Sequence, residues 1–135
     1  FDKHDFYQTD EIVDLLKRLE IDLVVLAGFL WLVPENLLKS FPNKIINIHP
    51  ALLPKFGGKG MYGDRVHKAV LEAGEDEHGI TIHFVNENFD EGEIIHQARF
   101  RVDPGDTLEI LKFNGQQLEH THYPKVIENL LKKYN

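Results

Sequence analysis

Three polar residues of the sequence, Asn47, His49 and Asp90, follow apolar runs and have types that suit acyl transfer to an amine. Asn47 and His49 are two residues apart at the end of the apolar run 44–48, so their side chains point to the same face of a strand. An amide can donate to a developing oxyanion, and an imidazole can stabilise it or move protons. A nearby carboxylate can orient the imidazole and orient a water molecule. We therefore interpret these residues as catalytic candidates.

The same residues also have structural explanations. His49 could donate to a backbone carbonyl at a strand end, Asn47 could form a local turn, and Asp90 could serve a hairpin turn. If Asp90 does contact His49, its negative charge is expected to raise the pKa of the imidazole. Residue types and spacing alone leave both interpretations open.

Hydrophobic periodicity predicts the elements that must position these residues. Apolar residues at helical spacing, with capping residues at the ends, predict helices over 10–19 and 64–73. Residues 34–38 are typical of the first turn of another helix, with Pro34 at its first position, and Phe41 and Pro42 end it. Apolar runs predict strands over 22–28, 44–48, 79–85 and 94–102. The run 22–28 has almost no polar residue, which is typical of a central strand buried on both faces. Residues 107–134 are predicted as helix, broken near Asn114 and Gly115 or at Pro124.

This order of elements predicts the fold class. It is α/β, with an open, mainly parallel, Rossmann-like sheet, helices on both faces and an antiparallel hairpin near one edge. A length of 135 residues suits a single domain over residues 1–135.

Composition narrows the classes of function. The net charge of -7 disfavours a nucleic-acid binder, and without a run of about 18 apolar residues no membrane span is expected. The absence of cysteine fits a reducing compartment, so a cytoplasmic location is the expectation. The eight histidines lack metal-ligand spacing, with His120 and His122 only two apart, and we expect no metal.

Three motifs occur in order: NIHPALLP at 47–54, EHGITIHFV at 77–85 and FDEG at 89–92. With LAGF at 26–29 before them and QLEH at 117–120 after, they resemble the folate-dependent formyltransferases, and within that family the members that formylate glycinamide ribonucleotide in purine synthesis. The resemblance implies formyl transfer from 10-formyltetrahydrofolate between small molecules, without metal. It also implies that Asn47, His49 and Asp90 form the catalytic trio.

The resemblance further implies binding residues. One wall of the pterin pocket would be formed by Leu30, Trp31, Leu32 and Val33, and the other by Asn86, Glu87, Asn88, Phe89 and Asp90, with Asn47 between them. The substrate would lie near Gln116, Gln117, Leu118 and Glu119, with Glu119 at its amine. Residues 30–33 could instead be simple core, which suits Leu32 better than Trp31, because Trp31 lies beside Pro34 in a loop. Glu119 could be a solvated helix residue.

Two features depart from the family. Its members begin with a strand and a glycine-rich turn whose amides hold the substrate phosphate, and this sequence starts at Phe1 without them. We therefore expect it to be a carboxyl-terminal portion, whose phosphate-binding segment is not in the sequence. The loop 55–63 is unusually rich in glycine, and we interpret it as a flexible lid, since it lacks a full phosphate-loop pattern.

Rival functions stay open. The close rival is another enzyme of formyl-folate. A methionyl-tRNA formyltransferase would need a basic surface, which the net charge opposes, whereas a formyltetrahydrofolate hydrolase usually has an amino-terminal regulatory domain, which a carboxyl-terminal portion does not exclude. A noncatalytic folate-binding module is the alternative from another class. The sequence does not predict an oligomeric state.

Overall fold

The protein is represented by a computed structural model that describes residues 2–134. The described residues form one sheet of four strands together with five helices. Along the chain these elements are α1 (Lys3–Gln8), α2 (Glu11–Arg18), β1 (Val24–Ala27), α3 (Glu35–Ser40), β2 (Ile45–His49), α4 (Asp64–Glu72), β3 (Glu77–Phe84), β4 (Ile94–Arg101) and α5 (Leu108–Tyr134).

The strands lie in the order β1, β2, β3, β4. Strands β1 and β2 are parallel and joined by α3, while β3 runs antiparallel to both β2 and β4. The predicted α/β class is confirmed, and the predicted hairpin is the pair β3 and β4 at one edge. The described sheet is mixed, with one parallel pairing and two antiparallel ones.

Helices cover both faces of the sheet. On one face, α5 packs Tyr123 and Leu130 against isoleucines of β2 and β3. On the other face, α1, α2 and α3 enclose a second cluster that includes Ile45 at the start of β2. Each isoleucine that is removed from water in this way contributes about 1.5–3 kcal/mol. Strand β2 is therefore held from both sides, and its last residues have a fixed position.

Strand β1 differs from its prediction as a central strand buried on both faces. Among the described residues it pairs only with β2, and alternate residues are exposed, Val25 by 40%. The apolar run correctly predicted a strand, but the composition of a run does not say which elements cover it.

Three helices also differ in detail. Helix α1 was not predicted, because six residues are too short for a periodic pattern; it is capped by Asp2, which accepts from the Asp5 amide at 2.9 Å. Pro34 is the N-cap of α3, one position before the predicted one. Helix α5 continues through Gly115 and Pro124 without a break. Its residues on both sides of Pro124 are anchored in the core, which outweighs the roughly 3 kcal/mol preference of proline against a helix interior.

Candidate active site

His49 and Asp90 meet at the end of β2. His49 is the last residue of the strand and is 3% exposed, and its Nδ1 lies 3.3 Å from Asp90 Oδ1. Asp90 belongs to the turn between β3 and β4, where its φ of +55° is in the left-handed region that aspartate tolerates better than most residues. Two separate elements thus deliver the imidazole and the carboxylate to one place, as the sequence predicted.

The loop 55–63 packs its backbone on both side chains. His49 Nε2 donates to the Phe56 carbonyl at 2.7 Å, and the Gly58 amide donates to Asp90 Oδ2 at 3.0 Å. Gly57 lies between them, and a Cβ at this position would come within 2.5 Å of Leu53 Cδ2 and 3.2 Å of Asp90 Cβ. The approach of loop to site therefore depends on the absence of a side chain at Gly57.

Thr81 fixes the path of the chain that leaves β2. It stands opposite His49 in the register of β2 and β3 and is fully buried. Its hydroxyl donates to the Ala51 carbonyl at 2.7 Å and accepts from the Leu53 amide at 3.0 Å. Because these bonds are enclosed in the protein, they hold the segment after His49 firmly.

Burial determines the net direction of the pKa of His49. Removal from water lowers the pKa of its imidazole, while Asp90 and the Phe56 carbonyl raise it and His83 lowers it further. The net shift is downward from the ordinary value. The expectation that the charge of Asp90 raises the pKa of His49 has the right sign for that contact, and desolvation is the larger effect on the net value.

Asn47 is connected to the pair through His83, a residue that the sequence analysis did not single out. Asn47 Nδ2 lies 3.4 Å from His83 Nε2, which in turn is 3.8 Å from Asp90 Oδ1. We call Asn47, His49, His83 and Asp90 the polar cluster. The available signal for His83 was a histidine inside an apolar strand; its position opposite Asn47 follows only from the register of β2 and β3.

Two cavities meet at the polar cluster. The first, which we call the large cavity, has a volume of about 960 Å³, within the usual range for small-molecule sites. The second, which we call the narrow cleft, has only about 30 Å³ and lies between the segment after β1 and the turn after β3. Asn47 and Asp90 line both. These two side chains therefore stand where molecules bound in the two spaces would meet.

Most of the residues predicted for pterin binding line the narrow cleft. They are Trp31, Leu32, Val33, Asn86, Asn88 and Phe89, together with Asn47 and Asp90. Leu30 lines the large cavity instead, and Glu87 is exposed and lines neither space. Val33 is also part of the apolar core under α3.

Of the four residues of α5 predicted for substrate binding, two line the large cavity and two do not. Gln116 and Glu119 line the large cavity, because residues three apart lie on the same face of a helix. Gln117 is exposed and lies outside the cavity wall, and Leu118 packs against the core. Arg65, Lys59 and Lys112 add positive charge to the wall of this cavity.

Trp31 belongs to an aromatic cluster around α1. Its ring lies 5.7 Å from Phe6 and 6.2 Å from Phe29, and the Lys3 ammonium is 5.5 Å from its centroid. Such contacts fix the indole against the wall of the cleft.

Within residues 2–134, no group of three or more histidine or carboxylate side chains is placed to hold a metal ion. No helix in the same range is long and apolar enough to cross a membrane.

The fold and site define an α/β protein with an amide, an imidazole and a carboxylate at the carboxyl end of a parallel strand, beside a cavity for a small molecule. The sequence profile of the family described as formyl transferase matches residues 3–127. The chain therefore belongs to the formyl transferase family, as its motifs predicted.

Individual proteins similar to this chain have names that fit this family. The chain is 52% identical over 117 residues to the chloroplastic phosphoribosylglycinamide formyltransferase of Arabidopsis thaliana, covering 87% of this chain and 40% of that protein. The crystal structure of phosphoribosylglycinamide formyltransferase from Bacillus halodurans matches with a TM-score of 0.81 and 40% identity, over 93% of this chain and 62% of that one. A formyltetrahydrofolate deformylase from Pseudomonas syringae matches with a TM-score of 0.79 and 28% identity, over 91% and 40%. The chain thus spans about two fifths to three fifths of the length of these proteins.

Proposed function

We propose that the protein transfers the formyl group of 10-formyltetrahydrofolate to the amine of glycinamide ribonucleotide, a step of purine synthesis. The observation that supports this most is that Asn47 and Asp90 line both the large cavity and the narrow cleft. A flat folate in the cleft and an amine in the cavity would meet at these side chains. The relatives named phosphoribosylglycinamide formyltransferase support the choice of acceptor.

In the proposed reaction the amine nitrogen attacks the formyl carbon and gives a tetrahedral intermediate with negative charge on the formyl oxygen. The bond from that carbon to N10 of the folate then breaks, N10 gains a proton and the former amine loses one. Asn47 donates an amide hydrogen to the oxygen. His49 reacts as the tautomer whose proton is on Nδ1, facing Asp90, so that Nε2 can take the proton of the former amine; the resulting imidazolium stabilises the oxygen and passes the proton to N10. For His49 Nε2 to reach the substrate, its bond to the Phe56 carbonyl must exchange for one to the formyl oxygen.

Asp90 has two tasks in this proposal. Its Oδ1 holds the ring of His49 and favours the charged imidazolium that forms as the proton moves, against the burial that disfavours it. Its other oxygen accepts from Gly58, so the carboxylate is held while His49 changes partners. Glu119, on the wall of the large cavity, would hold the substrate at its amine end. No metal takes part.

The folate would bind between Trp31, Leu32 and Val33 on one side and the turn 86–90 on the other. With about 30 Å³, the cleft holds little more than a water molecule, so the two walls must part to admit a pterin. The part of this turn that would move is 86–88, because Glu87 and Asn88 are exposed, whereas Asp90 is held by Gly58 and the opposite wall is anchored in the core.

The second candidate is hydrolysis of the formyl-folate, which the structural similarity to a formyltetrahydrofolate deformylase favours. The test incubates the full protein with 10-formyltetrahydrofolate, with and without glycinamide ribonucleotide, and measures tetrahydrofolate, formate and the formylated product by mass spectrometry. Transfer predicts tetrahydrofolate only when the acceptor is present, in equal amount with the formylated ribonucleotide. Formate released at the same rate without acceptor would show a hydrolase instead, and binding without either product would show a folate-binding module.

A cytoplasmic location stays a prediction, because the Arabidopsis relative is named as chloroplastic. Nucleic acid is not proposed as a partner, since the net charge of -7 opposes it.

A further inference from the structure

His83 is a buried member of the polar cluster that the proposed reaction does not use. It lies in β3, is 2% exposed and stands directly opposite Asn47 in the antiparallel register of β2 and β3. Opposite residues of such a pair have Cβ atoms about 4.5–5.5 Å apart, so their side chains must interact. A buried histidine beside a catalytic amide calls for a physical explanation.

The backbone fixes which nitrogen of His83 carries the proton. His83 Nδ1 lies 2.9 Å from the Phe84 carbonyl, and a carbonyl can only accept a hydrogen bond. The proton of the neutral ring is therefore on Nδ1, and Nε2 has a free lone pair. Since Nε2 can only accept, the Asn47 atom that faces it at 3.4 Å must be the amide nitrogen, which donates.

This orientation leaves one polar atom of Asn47 without a hydrogen bond among the described residues. Asn47 Oδ1 is buried and has no hydrogen-bond partner there. A half turn of the amide would set two lone pairs against each other at His83 Nε2, so the nitrogen stays in place. The nitrogen carries two hydrogens, of which His83 takes one. The other is left for the substrate.

We propose that His83 is a positioning residue that locks the amide of Asn47 with its second N–H free for the oxygen of the transferred formyl group. The inference rests on the proposed function for its catalytic consequence, although the orientation itself does not. The same tautomer also means that His83 does not compete with His49 for the carboxylate of Asp90. Because Nε2 has no proton, His83 makes no hydrogen bond to Asp90 Oδ1 across their 3.8 Å separation.

Two variants of similar polarity separate positioning from packing. In His83→Asn the shorter amide can still donate to the Phe84 carbonyl but leaves nothing at the place of Nε2. In His83→Gln the longer side chain brings an amide oxygen near that place, where it can accept from Asn47. We expect kcat to fall about tenfold in His83→Asn and to stay within about threefold in His83→Gln, with unchanged KM values for both substrates.

A double-mutant cycle gives the decisive kinetic comparison. If His83 acts through Asn47, His83→Asn has no further effect on kcat in the Asn47→Ala background. A purely structural role predicts instead that the Asn and Gln variants lose activity in parallel with their melting temperatures, or that the loss persists without Asn47. Either result would overturn the proposal.

Nitrogen-15 NMR of the full protein tests the orientation without reference to activity. We expect a protonated Nδ1 and an unprotonated Nε2 for His83, and a shift of the Asn47 side-chain amide signals in His83→Asn but not in an exposed control, His120→Gln. Protonation at Nε2 would refute the locked amide even if formyl transfer is observed. Absence of formyl transfer with the expected NMR result would refute the proposed function and leave the orientation standing.

Discussion

Acid should destabilise this protein through His78, a buried histidine of β3. The ring is 1% exposed, with Nε2 2.9 Å from His67 Nδ1 on α4 and an edge contact to Phe100. Its Nδ1 has no hydrogen-bond partner among the described residues. Burial, with smaller contributions from His67 and His49, lowers the pKa of His78 from 6.5 to about 4. The folded protein therefore keeps His78 neutral under conditions in which the unfolded chain protonates it.

The sign and size of the effect follow from that pKa. Below about pH 6.5 the unfolded chain binds more protons than the folded one, so the free energy of unfolding falls as the pH falls. The shift corresponds to about 3 kcal/mol when complete, near pH 4, and to about 2 kcal/mol at pH 5. His67 has a pKa lowered mainly by burial and adds a loss in the same direction.

Urea unfolding of the full protein between about pH 7.5 and pH 5 measures this loss. We expect His78→Gln to be less stable at neutral pH, because a buried bond is lost, but to lose about 2 kcal/mol less on acidification than the wild type. The exposed His120→Gln should keep the wild-type slope. Equal slopes for the wild type and His78→Gln would show that His78 is not protonated on unfolding, and the reasoning would fail.

Other predictions concern the site. His49→Ala and Asn47→Ala should each lower kcat about a hundredfold or more with small changes in folate KM, measured by steady-state kinetics, because their bonds strengthen as charge develops. Trp31→Ala should raise the folate KM more than it lowers kcat, since the indole would bind ground and transition states alike; an unchanged folate KM would leave it a core residue. Gly57→Ala should lower kcat about tenfold, because its Cβ would displace Leu53 and the loop; wild-type kinetics would show that the loop yields freely.

Apolar runs predicted the strands that carry the site because β2 and β3 consist largely of residues that are buried on both faces of the sheet. Strand β2 and the hairpin β3 and β4 were located to within two residues. Helix α5 was predicted to break near Asn114 and Gly115 or at Pro124, but it is continuous, and the bond from Tyr123 Oη to the Leu26 carbonyl and the packing of Leu130 anchor it on both sides of Pro124. That bond joins residues 97 apart, so no local pattern could reveal it.

The contact of His49 with Asp90 was predictable only from the resemblance to the formyltransferases, because β3 runs antiparallel to β2 and the turn after β3 must fold back to bring Asp90 to the end of β2. The place of His83 was not, since it depends on which residue of β3 stands opposite Asn47. The contacts of the loop 55–63 could not be predicted from the sequence either. Its glycines suggested mobility, whereas in the structure its backbone groups at Phe56 and Gly58 bond to the catalytic candidates. Whether it also moves as a lid stays a prediction.

The most direct test of the account is the rate of formyl transfer to glycinamide ribonucleotide by Asp90→Asn in the full protein. Asparagine keeps the size of Asp90 and tolerates its positive φ, so a turn residue would survive the change. It removes the charge that favours the imidazolium of His49. We predict a fall in kcat of about a hundredfold or more, a lower pKa of His49 by NMR titration and an unaltered melting temperature. Near-normal turnover, or a loss of turnover that follows unfolding, would contradict the catalytic role of this cluster.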